Sequence, residues 1–213
     1  MTIVYLMRHS EPFKVHRGIE IVDEDLLISN KKSPLSIRGE KLAEEISNNL
    51  EFNNIDVVWA SDYVRAISTA KYFAYNNNLK VNISYHLGER KHGIKSWDEL
   101  PKNFEIHQFE DDNYKIGDGE SRKEAQERIY NELIRIIKEN KNKRILIVGH
   151  STAFAFLLGK WCEISYDSNY KFNSEVFFDG KWDYLETFKL EFDENYNLVG
   201  IKNLDNILEN ISN

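Results

Sequence analysis

Cysteine is almost missing from this chain, which has only Cys162 among 213 residues. One cysteine excludes an intrachain disulfide and a metal site built from several cysteines, and this usage suits a reducing compartment. No nucleophile motif surrounds Cys162, so we expect a packed thiol. Long hydrophobic runs are missing too, which excludes a membrane-spanning helix.

The start of the chain has no basic leader followed by an extended apolar segment, because Arg8 and His9 interrupt the first apolar run. A secretory signal needs both of these parts. We therefore expect a cytoplasmic protein.

Positive charge is scarce, with 28 Lys and Arg against 35 Asp and Glu and a formal net charge of -7. Binding to nucleic acid relies on a basic face that releases counterions, so we expect no nucleic-acid partner. An anionic ligand of this protein must be small and must be held by a few local cations.

Several cofactor motifs are missing as well. The chain has no G-x-x-x-x-G-K-S/T loop, no G-x-G-x-x-G after a strand, no H-E-x-x-H motif and no paired-aspartate metal motif. Four further histidines lack the spacing of metal ligands and are expected in loops or on the surface: His16, His86, His92 and His107. We predict that the protein uses neither a metal ion nor an organic cofactor.

Strand and helix patterns alternate along the sequence. Short apolar runs predict strands over 3–7, 57–60, 81–85 and 144–148, and apolar residues at helical spacing predict helices over 36–50, 64–74, 121–137 and 152–158. A hairpin is expected over 187–201. This alternation predicts an α/β fold, a three-layer α/β/α sandwich with a mostly parallel central sheet. The length suits a single domain over 1–213 with loop insertions near 11–33, 90–115 and 162–181.

Polar residues follow the predicted strands where each strand ends. His9, Glu89 and His150 each come after an apolar run, and Arg65 lies in the first turn of the helix after Ser61. Taken singly, such residues are nearly always surface or capping groups. Because sheets of this kind bind ligands outside the carboxyl ends of their strands, we expect one crevice to collect all four.

Six short motifs, in order, resemble those of the histidine phosphatase superfamily, the phosphoglycerate-mutase-like proteins. The L-x-R-H-G signature is similar to Leu6-Met7-Arg8-His9-Ser10, and the L-T/S-x-x-G helix start is similar to Leu35-Ser36-x-x-Gly39. The S-S/D-x-x-R-A-x-x-T-A motif is similar to the segment from Ala60 to Ala70, which contains Ser61, Asp62 and Arg65. Leu87-Gly88-Glu89 resembles the acid loop, Gly119-Glu120-Ser121 the G-E-S element and Val148-Gly149-His150-Ser151 the V-x-H-G/S element. The resemblance spans residues 3 to about 155 and implies a phosphoglycerate mutase-like fold.

The resemblance also implies roles for individual residues. Arg8, His9, Arg65 and His150 would form a phosphate pocket, and Glu89 would be the acid. Apart from the resemblance, we expect the hydroxyls of Ser10 and Ser151 to help bind the substrate. These residue types suit the chemistry, because arginine forks bind phosphoryl oxygens and a neutral imidazole supplies a nucleophilic lone pair. A carboxylic acid protonates the leaving alkoxide, and Glu99 and Glu120 remain alternatives to Glu89 in that role.

We therefore predict a metal-independent phosphomonoesterase that acts on a small phosphorylated metabolite through a phosphohistidine on His9. The usual glycine after the histidine is Ser10 here, and the stretch Pro12 to Lys32 lacks the W-N and N-R-F-x-G-W motifs of phosphoglycerate mutases. The second difference favours a phosphatase. Phosphoglycerate mutase-type phosphoryl transfer and a catalytically weak phosphate-binding or interaction module remain alternatives, and the sequence leaves the oligomeric state open.

Overall fold

The computed structural model describes residues 1–13, 30–95, 97–165 and 169–204. Within these ranges the strands, in chain order, are β1 (Thr2–Arg8), β2 (Val57–Ser61), β3 (Val81–Ser84), β4 (Arg144–Gly149), β5 (Glu163–Ile164), β6 (Tyr170–Phe172), β7 (Glu175–Phe178), β8 (Thr187–Phe192) and β9 (Leu198–Asn203). The helices are α1 (Ile37–Ser47), α2 (Val64–Asn76), α3 (Phe104–Glu110), α4 (Arg122–Glu139) and α5 (Ser151–Leu158).

The central sheet has six strands in the order β3-β2-β4-β1-β8-β9. Strands β1 to β4 pair in parallel, and β8 and β9 add an antiparallel edge. The prediction of a mostly parallel sheet is confirmed.

Successive residues of β1 face opposite sides of the sheet, as the pleat of a strand requires. Val4 and Leu6 pack in a cluster with residues of α4 and α5, whereas Tyr5 and Met7 pack with residues of α1 and α2. Helices therefore cover both faces, which confirms the three-layer sandwich.

Two helices begin at side-chain caps. The Ser36 hydroxyl accepts a hydrogen bond from the Gly39 N–H at 2.9 Å at the start of α1. Ser121 and Glu124 form a capping box at the start of α4. Both helices begin within one or two residues of the position that the sequence predicts.

The predicted insertions contain structure of their own. Residues 14–29 of the first lie outside the described residues, whereas the second contains α3 and the third contains the three-stranded sheet β5-β6-β7. A cavity of about 560 Å³ separates α3 from this small sheet and is lined by residues such as Phe109 and Ile164. No helix within the described ranges is long and apolar enough to cross a bilayer. The prediction of one domain over 1–213 stays a prediction.

Candidate active site

The carboxyl ends of β1 and β4 bring His9 and His150 together. Arg8, the last residue of β1, pairs with Gly149 at the end of β4, and the His9 N–H donates to the Gly149 carbonyl at 2.9 Å. The two imidazole ring centroids lie 5.2 Å apart. Strand β2 lies on the other side of β4, so the first turn of α2 delivers Arg65 to the same edge.

His9 is a buried imidazole whose tautomer follows from its partners. Its Nδ1 lies 2.7 Å from the Ser10 carbonyl oxygen, and because a carbonyl only accepts, Nδ1 carries the hydrogen. The lone pair is therefore on Nε2, which accepts a hydrogen bond from Arg65 Nε at 3.0 Å. Burial, followed by the positive charge of Arg65, lowers the pKa of His9 to about 3, so the imidazole is neutral near pH 7.

Arg65 is a buried guanidinium that contacts both histidines. One terminal nitrogen donates to the Asn30 carbonyl at 2.7 Å, and the other lies 3.3 Å from His150 Nδ1. The guanidinium carbon lies over the Tyr63 ring, 4.6 Å from its centroid. Together these contacts restrict the orientation of the Arg65 side chain.

His150 is completely buried, and its two nitrogens have different partners. Since Arg65 only donates, Nδ1 accepts, and Nε2 carries the hydrogen that goes to the Ser61 hydroxyl at 2.7 Å. Burial, then the neighbouring His9 and arginines, hold the pKa of His150 well below its ordinary value of 6.5. A bound dianion would oppose this shift and favour a second proton on the ring.

Arg8 is half-buried and is held by the segment before β8. Its guanidinium donates to the Trp182 carbonyl and lies over the Tyr184 ring, 4.6 Å from the centroid, while its backbone N–H donates to the Glu186 carbonyl at 2.9 Å. Its Nε is buried and has no hydrogen-bond partner among the described residues. Burial lowers the pKa of Arg8, but an arginine stays charged at neutral pH.

Glu89 follows the 3-10 turn Tyr85–Leu87 and contacts the first turn of α5. Its Oε1 accepts hydrogen bonds from the backbone N–H groups of Arg90 and Ala153, both at 2.9 Å. Burial raises the pKa of Glu89 despite these hydrogen bonds, and the carboxyl interacts electrostatically with Arg65. Glu89 therefore joins the group of predicted residues.

The loop 86–91, called the acid loop below, is held from α4. Arg128 donates to the carbonyls of His86 and Gly88 at 2.7 and 3.1 Å. The same guanidinium binds both carboxylate oxygens of Glu120 at 2.6 and 2.8 Å. Although burial raises it, the pKa of Glu120 is lowered overall by Arg128, so this alternative acid is ionised.

Arg90 holds the acid loop to α3. The residue is only 4% exposed, and its guanidinium makes two hydrogen bonds of 2.8 Å to the Glu105 carboxylate. It also contacts Gln108 and donates to His92 Nε2 at 2.8 Å. Arg90 thus acts as a buried tie between the loop and a helix, while Glu99, the other alternative acid, is exposed.

Ser10 and Ser151 occupy different positions. The buried Ser10 hydroxyl donates to the Gly39 carbonyl at 2.7 Å, and its N–H donates to Thr69 Oγ1 at 3.0 Å. Gly39 has to be glycine, because a Cβ there would lie 2.1 Å from the Glu11 carbonyl oxygen. Ser151 is the first residue of α5 and is half-buried. Substrate binding by either serine stays a prediction.

Sequence reasoning did not single out several residues of this site. Ser61 and Tyr63 lie inside the motif that runs from Ala60 to Ala70, but the motif does not show that both residues contact His150. Trp182 and Tyr184 lie outside every motif, and no signal in the sequence marks them. Within the described ranges, no group of three or more His, Cys, Asp or Glu residues is arranged to hold a metal ion.

Comparison with known proteins identifies the family. The histidine phosphatase superfamily (branch 1) matches residues 4–177, most of the chain, and the protein belongs to this family. The predicted enzyme class, a phosphatase of the histidine phosphatase type, agrees with it. A search of curated proteins gave no match.

Solved structures share the fold. The chain resembles a histidine-to-alanine mutant of phosphoserine phosphatase from Entamoeba histolytica in complex with phosphoserine, with a TM-score of 0.64, 17% identity, and coverage of 95% of this chain and 97% of the other. It also resembles a mycobacterial glucosyl-3-phosphoglycerate phosphatase complexed with VO3, with a TM-score of 0.66, 14% identity, and coverage of 95% and 97%. These likenesses confirm the phosphoglycerate mutase-like fold.

Proposed function

We propose that this protein is a metal-independent phosphomonoesterase that hydrolyses a small phosphorylated metabolite through a phosphohistidine on His9. The observation that carries the proposal is the state of the His9 ring. Its Nδ1–H donates to the Ser10 carbonyl at 2.7 Å, its Nε2 lone pair accepts a hydrogen bond from Arg65 at 3.0 Å, and the His9 and His150 ring centroids lie 5.2 Å apart. A neutral, oriented imidazole beside fixed cations suits nucleophilic attack on phosphorus.

The first half-reaction forms the phosphoenzyme. Arg8 and Arg65 hold the peripheral oxygens of the phosphoryl group, and the hydrogen bond from Arg65 to Nε2 breaks as phosphorus arrives. The Nε2 lone pair forms the P–N bond while the ester P–O bond breaks. Glu89 in its protonated form donates its hydrogen to the departing alkoxide, and the raised pKa keeps more of that form available.

The second half-reaction returns the enzyme to its starting state. Glu89, now a carboxylate, takes a proton from a water molecule that attacks phosphorus. The P–N bond breaks, its electron pair returns to Nε2, and inorganic phosphate leaves. His150, which gains a proton when the dianion is present, stabilises the charge on the peripheral oxygens.

The names of the two structural relatives support a phosphatase that acts on a small molecule. One is a phosphoserine phosphatase bound to phosphoserine, and the other is a glucosyl-3-phosphoglycerate phosphatase. Both substrates named there are phosphate monoesters of small metabolites. We extend only this class to the present chain.

Hydrolysis of a chromogenic aryl phosphate in the presence of a chelator tests the proposal. We expect turnover by the wild type and by His107→Ala, a control at an exposed histidine, and a loss of at least about 10³-fold in His9→Ala. Wild-type protein that binds phosphate without turnover would instead be a binding module. Product analysis with a phosphoglycerate separates the remaining alternative, since free phosphate indicates a hydrolase and an isomeric phosphoglycerate a mutase.

A further inference from the structure

A turn just before β8 presents an aromatic ring to the phosphate pocket. The Glu186 N–H donates to the Asp183 carbonyl at 3.2 Å, which closes a four-residue turn with Tyr184 and Leu185 in the middle. This turn lies beyond residue 177, where the family match ends. The family motifs therefore say nothing about it.

The backbone of the turn is unusual for its sequence. Leu185 has a φ of 65°, in the left-handed region that glycine or asparagine normally occupies at this position of a turn. Its side chain is 2% exposed and packs in the core cluster that contains Tyr5 and Met7. Strained residues of this kind persist where the surrounding structure fixes them, and they are common beside functional sites.

The strained turn places Tyr184 against two site residues. The Arg8 guanidinium carbon lies 4.6 Å from the centroid of the Tyr184 ring, and the ring centroids of His9 and Tyr184 are 6.4 Å apart with an angle of 36° between their planes. Two main-chain carbonyls on either side of Tyr184 and Leu185 also hold Arg8. The Trp182 carbonyl accepts a hydrogen bond from the Arg8 side chain, and the Glu186 carbonyl accepts one from the Arg8 backbone N–H. The Tyr184 hydroxyl has no hydrogen-bond partner within the described part of the chain.

We propose that Tyr184 is a positioning residue that fixes the plane of the Arg8 guanidinium for phosphoryl binding. A planar guanidinium binds two oxygens well only in one orientation, so a ring packed against the guanidinium carbon limits the orientations that the group can adopt. The contact requires the aromatic face and does not require the hydroxyl. This inference rests on the proposed function, because it assigns Arg8 to the phosphoryl group.

Three variants separate the ring from the hydroxyl: Tyr184→Phe keeps the ring, Tyr184→Leu removes it, and Tyr75→Leu is a control at a side chain that is 82% exposed. Calorimetry measures the affinity for inorganic phosphate and for vanadate, and assays with an aryl and an alkyl phosphate give kcat and KM. We expect Tyr184→Leu to weaken phosphate binding about tenfold and to lower kcat/KM equally for both substrates, as suits the loss of a desolvated cation–π contact. Tyr184→Phe and the control should stay within about twofold of the wild type.

Two results would overturn the inference while leaving the proposed function intact: Tyr184→Leu binding phosphate as tightly as an active wild type, or Tyr184→Phe losing as much as Tyr184→Leu. If the leucine variant does not fold, Tyr184→Gln, whose polar side chain suits a half-buried position, is measured against the same expectations. A wild type that neither turns over the ester nor binds phosphate would overturn the proposed function itself.

Discussion

At the residue scale, the proposed nucleophilic attack depends on which nitrogen of His9 carries the hydrogen. The partner of Nδ1 is the main-chain oxygen of Ser10, so the tautomer does not depend on the side chain at that position. This explains how the chain can carry serine where the family has glycine. The serine hydroxyl has a separate contact, with the Gly39 carbonyl.

Replacement of Glu89 by glutamine tests the proton donor. Glu89→Gln keeps an acceptor for the N–H groups of Arg90 and Ala153 but cannot donate a carboxylic acid proton. We expect kcat/KM for an alkyl phosphate to fall by about 10²- to 10⁴-fold, the usual contribution of general acid catalysis. An aryl phosphate, whose leaving group needs no proton, should be affected far less at the first step. Equal losses on both substrates in single-turnover assays would assign the acid elsewhere.

The sequence marked the proposed catalytic side chains more clearly than the residues that hold them in place. His9, Arg65, Glu89 and His150 come after apolar strand segments, and this change from apolar to polar residues is visible in the sequence. Tyr63 and Tyr184 act through the faces of their rings, and no local pattern states which cation a ring will meet after folding. Burial also sets the pKa directions, which depend on distant parts of the chain.

At the element scale, the acid loop owes its position to two helices. Helix α4 supplies Arg128, which binds loop carbonyls, and α3 supplies Glu105, which pairs with Arg90. The long α4 was predictable because its buried residues recur at helical spacing. Helix α3 has seven residues, and β5 to β7 have two to four each, too short for a periodic signal against their irregular surroundings.

Removal of the Arg90 charge should move the basic limb of the pH profile. The positive charge of Arg90 lowers the pKa of Glu89, so Arg90→Gln should raise that pKa further while the backbone N–H contact remains. Because we propose that Glu89 acts in its protonated form, kcat/KM for an alkyl phosphate should then decline at a higher pH than in the wild type. A limb at the wild-type position would show that Arg90 does not influence the acid. Arg135→Gln, at a surface ion pair, is the matched control.

At the scale of the whole molecule, a negatively charged protein concentrates positive charge at one sheet edge. The formal net charge is -7, yet the site brings Arg8 and Arg65 together. The carboxyl beside them is Glu89, whose pKa is raised by burial. Such a local arrangement attracts a small anion, whereas the overall charge disfavours a polyanion. The charge balance and the sheet with its covering helices were predictable, whereas the helix and the strands inside the predicted insertions were not.

Acid should destabilise the fold through its buried histidines. The native pKa of His9 is about 3 and that of His150 lies well below 6.5, so at pH below about 6.5 the unfolded chain binds more protons than the native one. Stability is therefore full above that pH and falls as the pH decreases, by about 1.4 kcal/mol per pH unit for each histidine. The raised pKa of Glu89 acts in the opposite direction.

Urea unfolding near pH 7 and near pH 5 measures this effect. We expect one cooperative transition, as for a single domain, and a smaller loss of unfolding free energy in His150→Gln than in the wild type. His107→Ala should keep the wild-type loss. If the variant and the wild type lost the same free energy between the two pH values, His150 would not be a buried neutral group.

The phosphohistidine on His9 is tested most directly by identifying the atom that carries the phosphoryl group in the intermediate. Brief reaction with a phosphate ester, followed by quenching in alkali and NMR of the phosphoprotein, should show acid-labile phosphate on Nε2 of His9 in the wild type and none in His9→Ala. Phosphate that persists in His9→Ala, or that is attached to Nδ1, would contradict the assigned nucleophile.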